Sequence, residues 1–339
     1  MGISGLRGVR TLVFGVGGGG DVVGAAAIAS MLEAMGADVV IGSVVWERYV
    51  VDPVPGPPPL EALSNCLALS RRLALADGDE YYVRGGRKVF FQAAKAARML
   101  NRKVALLDLA SGACGVAEGL NTAVEMLGVE AAVAVDVGGD VLAKGFEEDL
   151  WSPLADSVSC SGLYTSRVPT KIICVFGLGV DGELSQEYLL ERLAGMARRG
   201  ALMDAKGLDG EGAAVLERLL RGGVETEASR LIYEAYKGVS GPVTIREGSR
   251  TVGLSPLSTI AWFLDPGKAL EDLPLVKTVT GSRSIGEARE MMNSAGVATE
   301  LDFEEELFTL LEKGASLTAS TILEARRRAL ARTRCSADQ

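Results

Sequence analysis

Short apolar runs that alternate with helical patterns fill the first 200 residues, and this alternation constrains the fold more than any other feature. Five runs are typical of buried strands: residues 11–16 (TLVFGV), 38–45 (DVVIGSVV), 104–109 (VALLDL), 131–137 (AAVAVDV) and 171–176 (KIICVF). Helical patterns occupy residues 22–35, 89–100, 117–127, 152–163 and 185–198. Strands that are apolar along their whole length belong to parallel sheets covered by helices on both faces. The sequence therefore predicts a doubly wound, mostly parallel, Rossmann-like α/β fold.

The pattern changes after about residue 200, where helical segments become more frequent. In chain order we expect a helical stretch at residues 212–237, a short hairpin at 243–254 and a capped helix from 255 onward. A strand that returns to the sheet at 276–280 and a further helix at 284–294 follow. The predicted organisation is a core over residues 1–200, a helical and hairpin elaboration over 201–300, and amphipathic C-terminal helices over 301–339.

Composition excludes several classes of protein. The net charge of −9 disfavours nucleic acid as a partner, because phosphate backbones require clustered Lys and Arg. The chain has no histidine and its five cysteines form no C-x-x-C pair, so we expect neither zinc nor haem, and no Ser-His-Asp triad. The apolar runs are far shorter than a membrane span, and no N-terminal segment has the pattern of a secretion signal. We therefore expect a cytoplasmic protein without a membrane partner.

A run of glycines follows the first predicted strand and reads GVGGGGD over residues 15–21. Gly15, Gly17 and Gly20 fit the pattern G-x-G-x-x-G, in which glycines let the backbone approach a ligand at a helix N-terminus. A tight turn, glycine-rich for packing alone, is the alternative. We expect a cleft lined by Gly17 to Gly20, with at least one of them at positive φ. The predicted ligand-binding residues of this loop are Gly17, Gly18, Gly19 and Gly20.

Asp21 closes the glycine run and complicates a dinucleotide site. A carboxylate at the start of a helix competes with a pyrophosphate for the same N–H groups. Asp21 is either a plain N-cap or a ligand for a cation, an amine or a sugar hydroxyl. At the end of the second strand, Glu47 and Arg48 are further candidates, because dinucleotide folds place an acid there for ribose hydroxyls. A surface ion pair is the alternative for these two residues.

Gly and Asp recur after three other predicted strands, in the loops that contain Ser111 and Gly112, Asp136 to Asp140, and Asp181. Open parallel sheets bind ligands at the carboxyl ends of their strands, so we expect Asp21, Asp136 and Asp140 to converge on one cavity as catalytic residues. Asp21 and Asp140 are the candidate metal ligands, and an all-oxygen set favours Mg²⁺. The remaining predicted ligand-binding residues are Ser111, Gly112, Gly138, Gly139 and Asp181.

Several segments resemble an archaeal family of proteins with a domain of unknown function, number 1152. They are GGGGDVVGAAAIA, WER, DPVPGP, DVGGDVLA, SPLADS and GLGVDGEL. The resemblance implies a Rossmann-like fold and brings no activity with it. The early G-A-x-A-I-A helix also resembles the D-glutamate cyclase family, and the loop from Asp136 to Asp140 resembles the Asp-Gly-Gly-Asn loop of that family in part. Asp140 replaces the Asn of that loop, and no catalytic role is carried over.

These observations favour an enzyme that acts on a small hydroxylated or phosphorylated metabolite or a nucleotide, with Mg²⁺ as a cofactor and lyase, cyclase or transferase chemistry that uses no histidine. A non-catalytic nucleotide- or metabolite-sensing module, an assembly protein with structural glycine loops and an NAD(P)-dependent oxidoreductase are the alternatives. Soluble oligomers are most often symmetric homo-oligomers, and the amphipathic C-terminal segment is the candidate interface.

Overall fold

The computed structural model describes residues 2–248 and 250–337. Its strands are β1 (Arg10–Gly15), β2 (Asp38–Val44), β3 (Leu67–Ala68), β4 (Leu73–Ala76), β5 (Tyr82–Arg84), β6 (Arg87–Val89), β7 (Val104–Leu107), β8 (Ala131–Val137), β9 (Thr170–Phe176), β10 (Leu202–Gly207), β11 (Gly241–Ile245), β12 (Arg250–Leu254) and β13 (Ile260–Leu264). Its α-helices are α1 (Asp21–Ala34), α2 (Gln92–Leu100), α3 (Gly112–Leu127), α4 (Pro153–Thr165), α5 (Gln186–Arg198), α6 (Gly210–Arg221), α7 (Glu227–Tyr236), α8 (Pro266–Ala269), α9 (Pro274–Thr278), α10 (Ile285–Ser294), α11 (Glu300–Glu312) and α12 (Ala319–Ala337).

A sheet of nine strands, in the order β10-β13-β9-β8-β1-β2-β7-β4-β3, forms the centre of the fold. Its five middle strands, β9, β8, β1, β2 and β7, are parallel. The pairings at the two edges are antiparallel: β9 with β13, β13 with β10, β7 with β4, and β4 with β3. Taken in chain order, the parallel strands lie in the arrangement 3-2-1-4-5. The order reverses between β1 and β8, and such a switch point is where doubly wound sheets bind ligands.

Helices cover both faces of the sheet, as the wholly apolar strands predict. Residues of β1 alternate between the two faces: Val13 packs toward α1, α2, α6 and α7, whereas Leu12 and Phe14 pack toward α3, α4, α5, α9 and α10. Gly24 allows α1 to approach β8 closely, because a Cβ at this position would lie only 2.4 Å from Val137 Cγ2. This close packing brings the N-terminus of α1 to the end of β8. The predicted α/β fold is confirmed.

Residues 276–280 do not form the predicted returning strand. Pro274 begins α9 there, and Val276 and Val279 are buried in the core beside α4. The strand that returns to the sheet is β13, which follows a capped 3₁₀ turn over Pro256–Thr259. Its sequence, IAWFL, is apolar enough for a strand buried between two neighbours, and its antiparallel direction needs no helical crossover.

Other strands carry too weak a pattern to be recognised in the sequence. β10 is an edge strand with polar, partly exposed side chains, and β3 to β6 are only two to four residues long. The predicted hairpin is confirmed by the antiparallel pair β11 and β12, although Ser249 in its turn lies outside the described residues. The C-terminal helices are confirmed as α11 and α12, and residues 338 and 339 also lie outside the described part. Among the described residues, none of the helices has both the length and the hydropathy that a bilayer span requires.

Candidate functional site

A cavity of about 290 Å³ opens at the switch point between β1 and β8. Its walls come from the loops after β1, β2, β8 and β9, from the start of α4 and from the turn before α7. Nine carboxyl side chains and two arginines line it, together with the glycine loop: Gly17, Gly18, Gly19, Gly20, Asp21, Glu47, Arg48, Asp136, Asp140, Asp156, Asp181, Glu183, Glu225, Glu227 and Arg246. The predicted convergence of Asp21, Asp136 and Asp140 on one cavity is therefore confirmed.

The glycine loop lines the cavity, but its glycines are needed for a different reason from the predicted one. Among the described residues with positive φ, none belongs to Gly17–Gly20. Instead, a Cβ at Gly19 would lie 2.1 Å from Glu47 Oε1, and a Cβ at Gly17 would lie 2.6 Å from Asp21 Oδ2. The prediction of a left-handed glycine was wrong. Glycine is required here because charged side chains pack directly on the backbone.

Asp21 is the first residue of α1 and not its N-cap, a position that Gly20 holds. The Asp21 carboxylate accepts a hydrogen bond from the Gly17 N–H at 3.0 Å and another from the Val137 N–H. It therefore links the glycine loop to the end of β8 and occupies the donor that an anion would use. Burial raises the pKa of Asp21 to about 7, against the lowering effects of these hydrogen bonds and of Arg48.

Asp21, Asp136 and Asp156 form the first carboxylate group, defined by three carboxyl oxygens within 4.8 Å of one another. Asp136 accepts hydrogen bonds from the N–H groups of Gly139 (3.2 Å) and Val141 (3.0 Å), which fix its orientation at the end of β8. Asp156 is 3% exposed and lies on α4. Burial raises the pKa of Asp156 well above its usual range, and the neighbouring charges of Asp136 and Asp21 raise it further.

Asp140, Asp181 and Glu183 form the second carboxylate group, within the same 4.8 Å limit. The Ser152 hydroxyl lies between two of them, 3.0 Å from Asp140 Oδ2 and 2.6 Å from Glu183 Oε1. Ser152 holds the N-cap position of α4, but its side chain is turned toward these carboxylates and makes no capping hydrogen bond. Among the described residues, no backbone N–H or hydroxyl group donates a hydrogen bond to Asp140 Oδ1.

The members of the second group differ in their affinity for protons. Burial and the charges of Asp181 and Glu183 raise the pKa of Asp140 well above its usual range. Burial acts on Glu183 in the same direction, but Arg250 and the hydrogen bonds from Ser152 and Trp151 outweigh it and lower the pKa of Glu183. Asp140 and Asp181 are within hydrogen-bonding reach of each other. Asp140 therefore holds a proton more readily than Glu183 does.

Glu47 and Arg48 both line the cavity, as predicted. Glu47 is 4% exposed and accepts a hydrogen bond from the Gln92 N–H at the start of α2, so the alternative of a surface ion pair is wrong. Burial raises the pKa of Glu47 to about 7. Arg48 stacks over Trp46 and lies 3.9 Å from both Glu300 and Glu304 of α11. The C-terminal helices thus reach the edge of the site.

Ser111 and Gly112 do not reach this cavity. The Ser111 hydroxyl accepts a hydrogen bond from Arg72, and a Cβ at Gly112 would lie 2.7 Å from the carbonyl oxygen of Ser282. That loop is packed against the segment before α10. Gly138 and Gly139 are not lining residues either, but both have positive φ, and a Cβ at Gly138 would lie 2.4 Å from the Asp181 carboxyl group. They shape the turn that places Asp136, Asp140 and Asp181.

Sequence reasoning missed Asp156, Glu183 and the arginines that lie beyond residue 200. Asp156 is the one of these with a usable signal, because it is an acid within an otherwise buried helix. Arg246 belongs to the hairpin segment, which folds back over the cavity from 70 residues beyond the end of β9. Nothing in its local sequence points to the site.

Fold and cavity together define a Rossmann-like α/β protein with a carboxylate-rich cavity at its topological switch point. The chain belongs to the protein family of unknown function DUF1152, whose sequence profile matches residues 12–308. The match covers all six carboxylates of the two groups. Comparisons with curated proteins and with solved structures found no match.

Proposed function

We propose that this protein is a Mg²⁺- or Mn²⁺-dependent enzyme that acts on a small phosphorylated metabolite. The observation that supports the proposal is the presence of two separate groups of three carboxylates on the walls of one cavity. Each group offers the oxygen ligands that hard divalent cations prefer. Two such cations in one site form the arrangement that stabilises attacking and leaving oxygens in phosphoryl transfer.

The charge of the cavity supports a cation as the first ligand. Nine carboxyl groups face two arginines, and most of the carboxyl groups are buried. Like charges at these distances repel strongly in a medium of low dielectric constant, so the carboxyl groups either keep protons or bind a cation. A free anion entering the cavity would meet the same repulsion. An anionic metabolite therefore requires bound cations as a bridge.

The glycine loop and the cavity volume restrict the metabolite. Asp21 accepts the Gly17 N–H, which opposes the binding of a bare pyrophosphate at the N-terminus of α1. A volume of about 290 Å³ is at the lower end for ligand pockets, which favours a compact molecule over a dinucleotide. Arg48 is one of the two arginines in the wall of the cavity and supplies positive charge to an anionic metabolite. These features disfavour an NAD(P)-dependent oxidoreductase.

The test combines calorimetry with detection of turnover. MgCl₂ or MnCl₂ is titrated into the metal-free protein, and a panel of small phosphate monoesters is then followed by ³¹P NMR with and without the metal. We expect metal binding in the wild type and a loss of at least about tenfold in metal affinity in Asp140→Asn. Asp38→Asn is the matched control, because Asp38 is exposed and pairs with Arg10 at the opposite end of the sheet.

Each outcome separates the candidate functions. Metal-dependent conversion of an ester supports the enzyme. Metal-dependent binding of esters or nucleotides without any conversion favours the sensing module. Equal metal affinity in the two variants would overturn the assignment of the carboxylates, and micromolar NADH binding without metal would restore the oxidoreductase.

A further inference from the structure

A second, smaller cavity of about 30 Å³ adjoins the acidic one. The two cavities share Arg48, Tyr49, Ser152, Glu183 and Arg246 in their walls, so a ligand in one is next to the other. We call the second cavity the arginine pocket. Its remaining walls are Trp151, Arg250, Glu300, Phe303, Glu304 and Ile322.

Two arginines in the wall of the arginine pocket carry buried N–H donors that have no hydrogen-bond partner among the described residues. The Arg250 side chain is 9% exposed; its Nη1 donates to the Asp181 carbonyl and to Glu183, whereas Nε has no partner among the described residues. Nη1 of Arg48 also lacks a hydrogen bond and lies 3.9 Å from the nearest carboxylates. Buried N–H groups are rarely left unpaired, because their lost hydration is not replaced. Both side chains line the arginine pocket, so a ligand bound there can supply the acceptor that the described residues do not.

The walls of the arginine pocket strengthen any charge interaction inside it. Arg250 stacks over the Trp151 ring at 4.3 Å, and Phe303 packs edge-on against the same ring at 5.4 Å. Aromatic walls exclude water and lower the local dielectric constant, so an ion pair formed there is stronger than one at the surface. An anionic group would gain more here than at an exposed arginine.

The volume selects the size of that group. A cavity needs about 10–15 Å³ to hold one water molecule, so about 30 Å³ accommodates two or three non-hydrogen atoms. A carboxylate has three such atoms, whereas a phosphate group is larger. Glu304 also faces the pocket with an oxygen that lacks a partner, and burial raises the pKa of Glu304 to about 7. When protonated, Glu304 is a further donor to a carboxylate.

We propose that the metabolite carries a carboxylate in addition to its phosphate, and that this carboxylate binds in the arginine pocket between Arg48 and Arg250. The inference rests on the proposed function, since it assumes that the phosphate occupies the acidic cavity. It narrows the substrate class to short phosphorylated carboxylic acids.

The test compares two small esters at saturating MgCl₂ by calorimetry. Ethyl phosphate carries the phosphate alone, and 2-phosphoglycolate carries a phosphate and a carboxylate at nearly the same length. We expect 2-phosphoglycolate to bind at least about tenfold more tightly, the usual contribution of a charge-assisted hydrogen bond to a buried arginine. Pyrophosphate tests whether a second phosphate serves as well as a carboxylate.

Variants assign the preference to the arginine pocket. Arg250→Gln removes the charge, and Phe303→Trp fills the pocket with a larger ring; both should reduce the affinity ratio of the two esters to below about threefold. Arg167→Gln, at an exposed arginine paired with Glu125, is the control and should leave the ratio unchanged. The ratio is the readout because Arg250 also contacts Glu183, so a general loss of metal binding would weaken both esters alike.

The outcomes distinguish the two proposals. Equal binding of ethyl phosphate and 2-phosphoglycolate would overturn the carboxylate inference and leave the metal-dependent phosphate site intact. Tighter binding of pyrophosphate than of 2-phosphoglycolate would also overturn it. Binding of neither ester in the presence of a bound metal would overturn the phosphate assignment and, with it, this inference.

Discussion

Replacement of Asp21 by Asn should stabilise the metal-free protein at pH 8, even though it removes a proposed metal ligand. Burial raises the pKa of Asp21 from 3.8 to about 7. The folded state therefore binds more protons than the unfolded state between these two values, and stability falls as the pH rises through this window. Above pH 7 the ionised carboxylate opposes folding, whereas the neutral amide of Asn does not.

The magnitude follows from the size of the shift. About three pKa units, at about 1.4 kcal/mol each, give an upper limit of about 4 kcal/mol at pH 8. Asp21 keeps part of its surface open to the cavity, which reduces this value by about half. The neutral amide oxygen of Asn accepts the Gly17 N–H more weakly than a carboxylate does, which removes about 1 kcal/mol. The expected net gain is about 1 kcal/mol.

Urea unfolding of the wild type and Asp21→Asn, in EDTA at pH 5 and at pH 8, measures this effect. The variant should be more stable at pH 8 only, because at pH 5 the wild-type carboxyl group retains its proton. With MgCl₂ at pH 8 the order should reverse, since only the wild type offers three carboxylates to the cation. Asp38→Asn controls for the loss of a surface charge. A variant that is less stable than the wild type at pH 8 in EDTA would refute the reasoning.

Three further predictions concern the same cavity. Mg²⁺ binding should release protons and become tighter as the pH rises from 6 to 8. The reason is that the pKa values of Asp21, Asp136 and Asp156 are raised, so the cation displaces protons from these carboxyl groups. Calorimetric titration in two buffers of different ionisation enthalpy counts the released protons. Gly18→Val should abolish ligand binding and leave the far-UV circular dichroism spectrum unchanged, because its Cβ would lie 2.7 Å from Arg48 Nε and displace that side chain; binding that survives would remove Arg48 from the site. NADH should bind more weakly without metal than Mg²⁺-bound small phosphate esters do, since Asp21 opposes a bare pyrophosphate by on the order of 1–4 kcal/mol, and calorimetry compares the two directly.

The sequence by itself determined the α/β architecture and the place of the cavity. Apolar runs such as those of β1 and β8 can be buried only in a sheet covered on both faces, so local composition was sufficient to predict them. The carboxylates that follow β1, β8 and β9 could be located for the same reason. Parallel strands end on one edge, and a residue just after a strand must lie at that edge. Asp21, Asp140 and Asp181 come after such strands and Asp136 lies at the end of β8, so all four were expected at that edge. The same reasoning failed for Ser111 and Gly112, whose loop packs against the segment before α10.

Only the tertiary structure decided which other residues complete the site and why its glycines are needed. Asp156 lies within a helix, and its place at the cavity depends on the rotation of α4 against the sheet. Arg246, Arg250 and Glu304 come from segments whose packing over the strand ends has no local signature. The glycine loop has a recognisable pattern, but the contacts of Gly17 and Gly19 with carboxylates replace the expected left-handed turn. Contacts between segments far apart in the chain are set by the packing of the whole core, and spacing along the sequence does not encode them.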